Sequence, residues 1–145
     1  MTTRAEFIAV VRSYCGTPYV RQGRLPGVGM DCPAPLICAA WQLGIKPQTF
    51  DVVGYSSEPD GFTLQRLCDE HLERTDSMAP GDVLLCAFRG GLPRHLGVLT
   101  DDTPDRMYWI HANDNAKHSR VHEARLVFGP HRMTLVQAYR VPGLT

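Results

Sequence analysis

Helical spacing of apolar residues stops before Asp82 in this chain, and each apolar segment after it is a short run of strand type. That order limits the folds available. A first helix is predicted from Thr3 to Cys15: Thr3 and Glu6 stand at capping-box spacing, Phe7, Val10, Val11 and Tyr14 form a helical stripe, and Gly16 can end it. After a Gly- and Pro-rich loop, a second helix is expected from Cys32 to Leu43, closed by Gly44. Pro33 and Pro35 are tolerated there because first-turn N–H groups have no intrahelical partners. A third helical pattern is FTLQRLCDEHLE. From Asp82 onward, DVLLCAF, RHLGVLT, RMYWIHA and MTLVQAYRV are rich in β-branched and aromatic residues and are separated by turn signals such as Gly90-Gly91 and residues 101–105. Helices first and strands afterwards predict an α+β fold, with the N-terminal helices packed on one side of an antiparallel sheet.

The length of 145 residues, with 43% hydrophobic and 21% charged residues, suits a single domain around one core, and no repeat or linker divides it. Fifteen basic residues balance fifteen acidic ones without a run of like charge, so neither nucleic acid nor an anionic membrane is an expected partner. Charges interrupt the apolar residues of MTTRAEFIAVVRSYCG before a signal-peptide core can form, and no stretch reaches the roughly 18 apolar residues of a membrane span. Synthesis in the cytoplasm without a signal peptide is the expectation. Five cysteines, an odd number lacking C-x-x-C spacing, argue against a disulfide framework or a zinc ribbon.

Cys32 stands where a nucleophilic cysteine belongs, at a predicted helix start after a Gly-rich loop, where the helix dipole favours thiolate. Cys15, Cys38, Cys68 and Cys86 read as small buried hydrophobes. A nucleophilic thiol needs an imidazole to take and return its proton. Of six histidines, His95 and His111 are well placed: in a hairpin symmetric about Thr103, with a five-residue turn, they face each other directly, Cβ atoms about 4.5–5.5 Å apart. Gly97, on the same face as His95, is expected to let the Cys32 helix approach closely. His71, His118, His122 and His131 are expected on the surface or in loops. No H-E-x-x-H pattern or Cys/His ligand pair is present, and no metal is expected.

The strings GTPYVRQGRLPGVGMDC, PGDVLL, RHLGVLT and WIHA, in this order from Gly16 to Ala112, resemble the NlpC/p60 cysteine peptidases. The loop RQGRLPGVGMDC is similar to the branch found in phage tail proteins. The resemblance implies a papain-like α+β fold without a cofactor and cleavage of amide bonds in peptidoglycan stem peptides, often between D-glutamate and a diamino acid. It also implies action in a virion tail or at the cell wall, with other tail proteins as partners. By position, Cys32 matches the nucleophile, His95 the base, His111 the orienting residue, and Tyr19 and Asp31 the substrate-lining positions. Two departures stand out: Pro33-Ala34 replaces a common Ser-Gly, and Val20-Arg21 replaces a common aromatic. Pro33 leaves Asp31 as half of a clamp for a free stem amine, so tolerance of stems still joined to muramic acid is expected. A silent tail assembly subunit, or an amidase or acyltransferase with another substrate, are the alternatives.

Overall fold

A computed structural model of the chain describes residues 1–56, 60–89, 91–115 and 117–145. The capping box forms as the spacing requires: the Glu6 N–H donates to Thr3 Oγ1 at 3.1 Å, and Glu6 Oε2 accepts the Thr3 N–H at 2.8 Å. Helix α1 (Arg4–Ser13) then buries Phe7, Ile8 and Val11. It ends two residues earlier than expected, which leaves Cys15 exposed and not in the core. The Gly-rich loop holds a small hairpin, β1 (Arg24–Leu25) with β2 (Gly29–Met30), too short to read from a pattern. Helix α2 (Ala34–Gln42) has Pro33 at its N-cap, and Gly44 takes a φ of 71° just past its end, where an L side chain would be strained. Helix α3 (Thr63–His71) starts where Asp60 accepts the N–H groups of Phe62 and Thr63. Its tail turns extended at Leu72, and the end of the third helical pattern becomes strand β3 (Glu73–Thr75).

The remaining strands are β4 (Val83–Phe88), β5 (Pro93–Thr103), β6 (Arg106–Ala112), β7 (Val121–Arg125) and β8 (Met133–Arg140). Together with β3 they make one six-stranded sheet in the order β3-β8-β4-β5-β6-β7, with antiparallel neighbours throughout. The fold is α+β, as expected. Strand β7 (VHEAR) has a single apolar residue of strand type and gave no signal. Of the Gly90-Gly91 turn, Gly90 lies outside the described residues.

Alternation along the strands sorts the core into two clusters. Val83, Leu85, Leu96, Val98, Ile110 and Ala112 pack with Phe7, Val11, Ala34, Cys38 and Cys68 of the three helices. Leu84, Cys86, Leu99, Trp109, Leu126 and Ala138 form a smaller cluster on the opposite face. A strand apolar on both faces reads as a continuous run, which is why β4 is spelled VLLCAF.

Candidate functional site

The histidine pair forms, but not by direct opposition. Strands β5 and β6 are joined by a two-residue turn, Pro104-Asp105, with Thr103 facing Arg106, and a bulge between Leu99 and Asp101 resets the register so that Val98 faces Ile110. One step further along, Gly97 is level with His111, and His95 lies diagonally across from it. Diagonal imidazoles still reach each other: His95 Nε2 and His111 Nδ1 are 2.7 Å apart.

Trp109 sets this arrangement. It is two residues before His111 on the same strand face, fully buried, and its ring stacks on His111 with centroids 4.7 Å apart at 19°. It also meets His95 nearly perpendicularly, 5.4 Å away at 81°. The indole occupies the space over Gly97, where a Cβ would stand 2.1 Å from Trp109 Cε3. The missing side chain of Gly97 therefore makes room for Trp109 and not for the Cys32 helix. The sequence reading missed Trp109, although its i, i+2 spacing from His111 in a strand carried the signal.

Helix α2 packs on the Leu96 face of the sheet, whereas His95 and His111 alternate to the Trp109 face. Cys32 meets the sheet at the backbone of Leu96. Pairing of β5 with β6 stops at Val98, and just beyond it the Leu96 N–H acts on the Cys32 sulfur as a donor. Cys32, His95 and His111 line one cleft of about 210 Å³, together with Tyr19, Asp31 and Tyr55. A larger cavity of about 470 Å³ lies beyond Pro33 and Leu96, but its walls are mainly apolar and none of the three residues reaches it.

Burial favours the neutral forms of Cys32 and His95. It pushes the Cys32 thiol up to about 12, the Asp31 charge adding to the rise and the Leu96 N–H opposing it. The thiolate expected from the helix dipole is not favoured, because Cys32 precedes the N-cap and Pro33 and Pro35 supply no N–H. Burial likewise lowers His95 to about 4 and His111 to about 2. With both rings neutral, one proton is shared across the 2.7 Å contact. When His95 Nε2–H donates to His111 Nδ1, the His95 Nδ1 lone pair is free to act as a base; the opposite tautomer blocks it.

Tyr19 is half-buried in the cleft wall, and burial raises its hydroxyl to about 12. Asp31 is 1% exposed, and both its oxygens are engaged. Oδ1 accepts from Arg24 at 2.8 Å; Oδ2 accepts from the Gln22 N–H at 2.8 Å and from Tyr55 at 2.5 Å. Arg24 also bonds Asp51. This network ties the Gly-rich loop to residues 51–55; Arg24 lies within the family-like loop string, whereas Tyr55 belonged to no recognisable pattern. His122, expected at the surface, faces His111 from β7 with ring centroids 4.7 Å apart. Its Nε2 is buried without a hydrogen-bond partner among the described residues.

No family model and no curated protein matches the sequence. Solved structures do. The NlpC/p60 domain of peptidoglycan hydrolase SagA superposes with a TM-score of 0.60 over 97% of this chain and 100% of that one, at 20% identity. The chain has the NlpC/p60 fold. An NLP/P60-family protein described as similar to lipoprotein, from Staphylococcus aureus subsp. aureus Mu50, matches with a TM-score of 0.59 at 16% identity over 93% of this chain; the match spans 40% of that longer protein. The papain-like architecture expected from the sequence is therefore present.

Proposed function

We propose that this protein is a cysteine hydrolase that cleaves amide bonds in peptidoglycan stem peptides. The observation that carries the reading is the meeting of Cys32 with a hydrogen-bonded His95–His111 pair in one cleft. The likeness to a domain named as part of a peptidoglycan hydrolase supports the substrate class. As the Cys32 sulfur attacks the amide carbonyl carbon, its proton passes to His95 Nδ1, and His111 holds the resulting imidazolium in place through Nε2. The backbone N–H of Cys32, which makes no hydrogen bond among the described residues, is the donor this reading assigns to the oxyanion. The C–N bond then breaks with the His95 proton going to the leaving amine, giving a thioester. Water loses a proton to His95 as it attacks, and that proton returns to the departing sulfur. Incubation with purified sacculi, followed by mass spectrometry of soluble fragments, tests the proposal. New stem-peptide termini are expected; intact sacculi after treatment with folded protein would refute it.

His95 and His111 should differ in importance. His95→Ala is expected to lower kcat by about 10³-fold, within the range for a lost acid–base group, and His111→Ala by about 10- to 100-fold. Asparagine at position 111 should restore part of the latter loss, since its carbonyl can still accept from His95. Steady-state kinetics on a chromogenic stem peptide decide the matter, and equal losses would reverse or void the roles.

The pH profile follows from the lowered imidazole. His95 stays neutral, and so competent as a base, down to about pH 4. The acid limb of kcat/KM is therefore expected near pH 4 and not near 6.5, wherever circular dichroism shows the fold unchanged. A midpoint at or above 6.5 would contradict the burial described for His95.

A further inference from the structure

Most strongly placed charges in this protein are neutralised by a neighbour: Arg24 by Asp31 and Asp51, Arg4 by Asp82, Arg12 by Glu123, Arg74 by Asp69. Three charges facing the cleft are not. Arg21, Arg94 and Asp114 line it beside Cys32 and His95, and none has a hydrogen bond or ion pair among the described residues. The Arg94 guanidinium lies 5.9 Å over the Phe88 ring, itself 6.2 Å from the His95 ring, so a cation is held beside the imidazole. Asp114 follows the end of β6 and is close enough to act electrostatically on Cys32, Tyr19 and His95 together. Asp31, by contrast, has its carboxylate satisfied from within and is a poor candidate for a substrate amine.

Unpaired charges at the wall of a concave site interact with a ligand more strongly than on open surface, because the walls displace water. Two cations and one anion together also exclude a plain polyanion, which Asp114 would repel. We propose that this cleft selects peptides carrying both a free carboxylate and a free ammonium near the scissile amide, Arg21 and Arg94 receiving the carboxylate and Asp114 the ammonium. The position of that amide rests on the hydrolase reading above; the charge selectivity does not. It assigns specificity to residues that were not among the sequence-derived candidates, and it makes amidation of the stem carboxyl a modification the protein senses.

Binding to the Cys32→Ala protein, read by calorimetry, separates the two ideas. The probes are L-Ala-γ-D-Glu-L-Lys, the same peptide with the glutamyl α-carboxyl amidated, and its Nε-acetyl derivative. Each derivative is expected to bind about tenfold more weakly than the parent, the size of one charge contact in a partly screened site. Arg94→Gln should weaken the preference for acid over amide while keeping that against acetylation, and Asp114→Asn should remove the preference against acetylation while keeping that for acid. Equal binding of the three peptides, no binding at millimolar concentration, or an equal loss on acid and amide in Arg94→Gln would overturn the inference. Charge-selective binding without cleavage by the unmodified protein would instead remove the hydrolase reading and leave this one standing. Cleavage indifferent to both modifications would do the opposite.

Discussion

Alanine at position 32 is expected to abolish stem-peptide hydrolysis, a loss of at least about 10³-fold, while the melting temperature stays close to that of the parent. The thiol is the only atom lost, and it is half-buried in the cleft wall with the Leu96 N–H as its hydrogen-bond partner. None of the other cysteines can take over. Cys38, Cys68 and Cys86 are buried in the core, Cys38 donating to the Arg24 carbonyl, and Cys15 is exposed just past the end of α1, away from the cleft. Fragment release from sacculi and a thermal melt of the same preparation are the paired measurements. Residual activity above a few per cent in well-folded Cys32→Ala would move the nucleophile elsewhere or remove the covalent step.

The second large effect concerns a residue with no functional group. Gly97→Ala places a methyl 2.1 Å from Trp109 Cε3 and 2.6 Å from Cζ3, and the indole is fully buried between the two histidines and the smaller core cluster. The ring has to shift or the strands have to part. Overpacking of this kind costs roughly 1–3 kcal/mol and occasionally more, and a contact this short belongs at the upper end. Because Trp109 stacks on His111 and abuts His95, the shift should also break their 2.7 Å contact, so activity is expected to fall well before the protein melts. Urea unfolding and kinetics at 20 °C provide the two readings. Trp109→Leu in the Gly97→Ala background should return part of the stability, since the smaller side chain vacates the contested volume. A stability change under about 0.5 kcal/mol in Gly97→Ala would show that Trp109 does not depend on the glycine.

The α+β class, the three helices and the four longest strands were legible without coordinates, because they follow from local periodicity and capping. Thr3 with Glu6, the stripe from Phe7 to Tyr14, and Gly44 after α2 act within one or two turns of chain, where spacing and side-chain chemistry suffice. The sequence also singled out Cys32, His95 and His111, since a cysteine at a loop-to-helix junction and two histidines on adjacent strands are visible without coordinates. Short or polar strands were not legible: β3 and β7 add to the edges of the main sheet, and β1 and β2 pair only with each other, without a pattern of their own. Register was decided by the bulge after Leu99 and the tight Pro104-Asp105 turn, and a shift of two residues puts Gly97, not His95, level with His111. Protonation, too, was a tertiary matter. The helix start alone argued for a thiolate at Cys32, but burial, the adjacent Asp31 and the absence of donors at Pro33 and Pro35 reverse that preference. Asp31 is a substrate-lining position by resemblance; only the tertiary structure shows that Gln22, Arg24 and Tyr55 converge on its carboxylate, from up to 24 residues away in sequence. Desolvation and hydrogen-bond saturation depend on which distant groups fold against a side chain, and no local pattern encodes them.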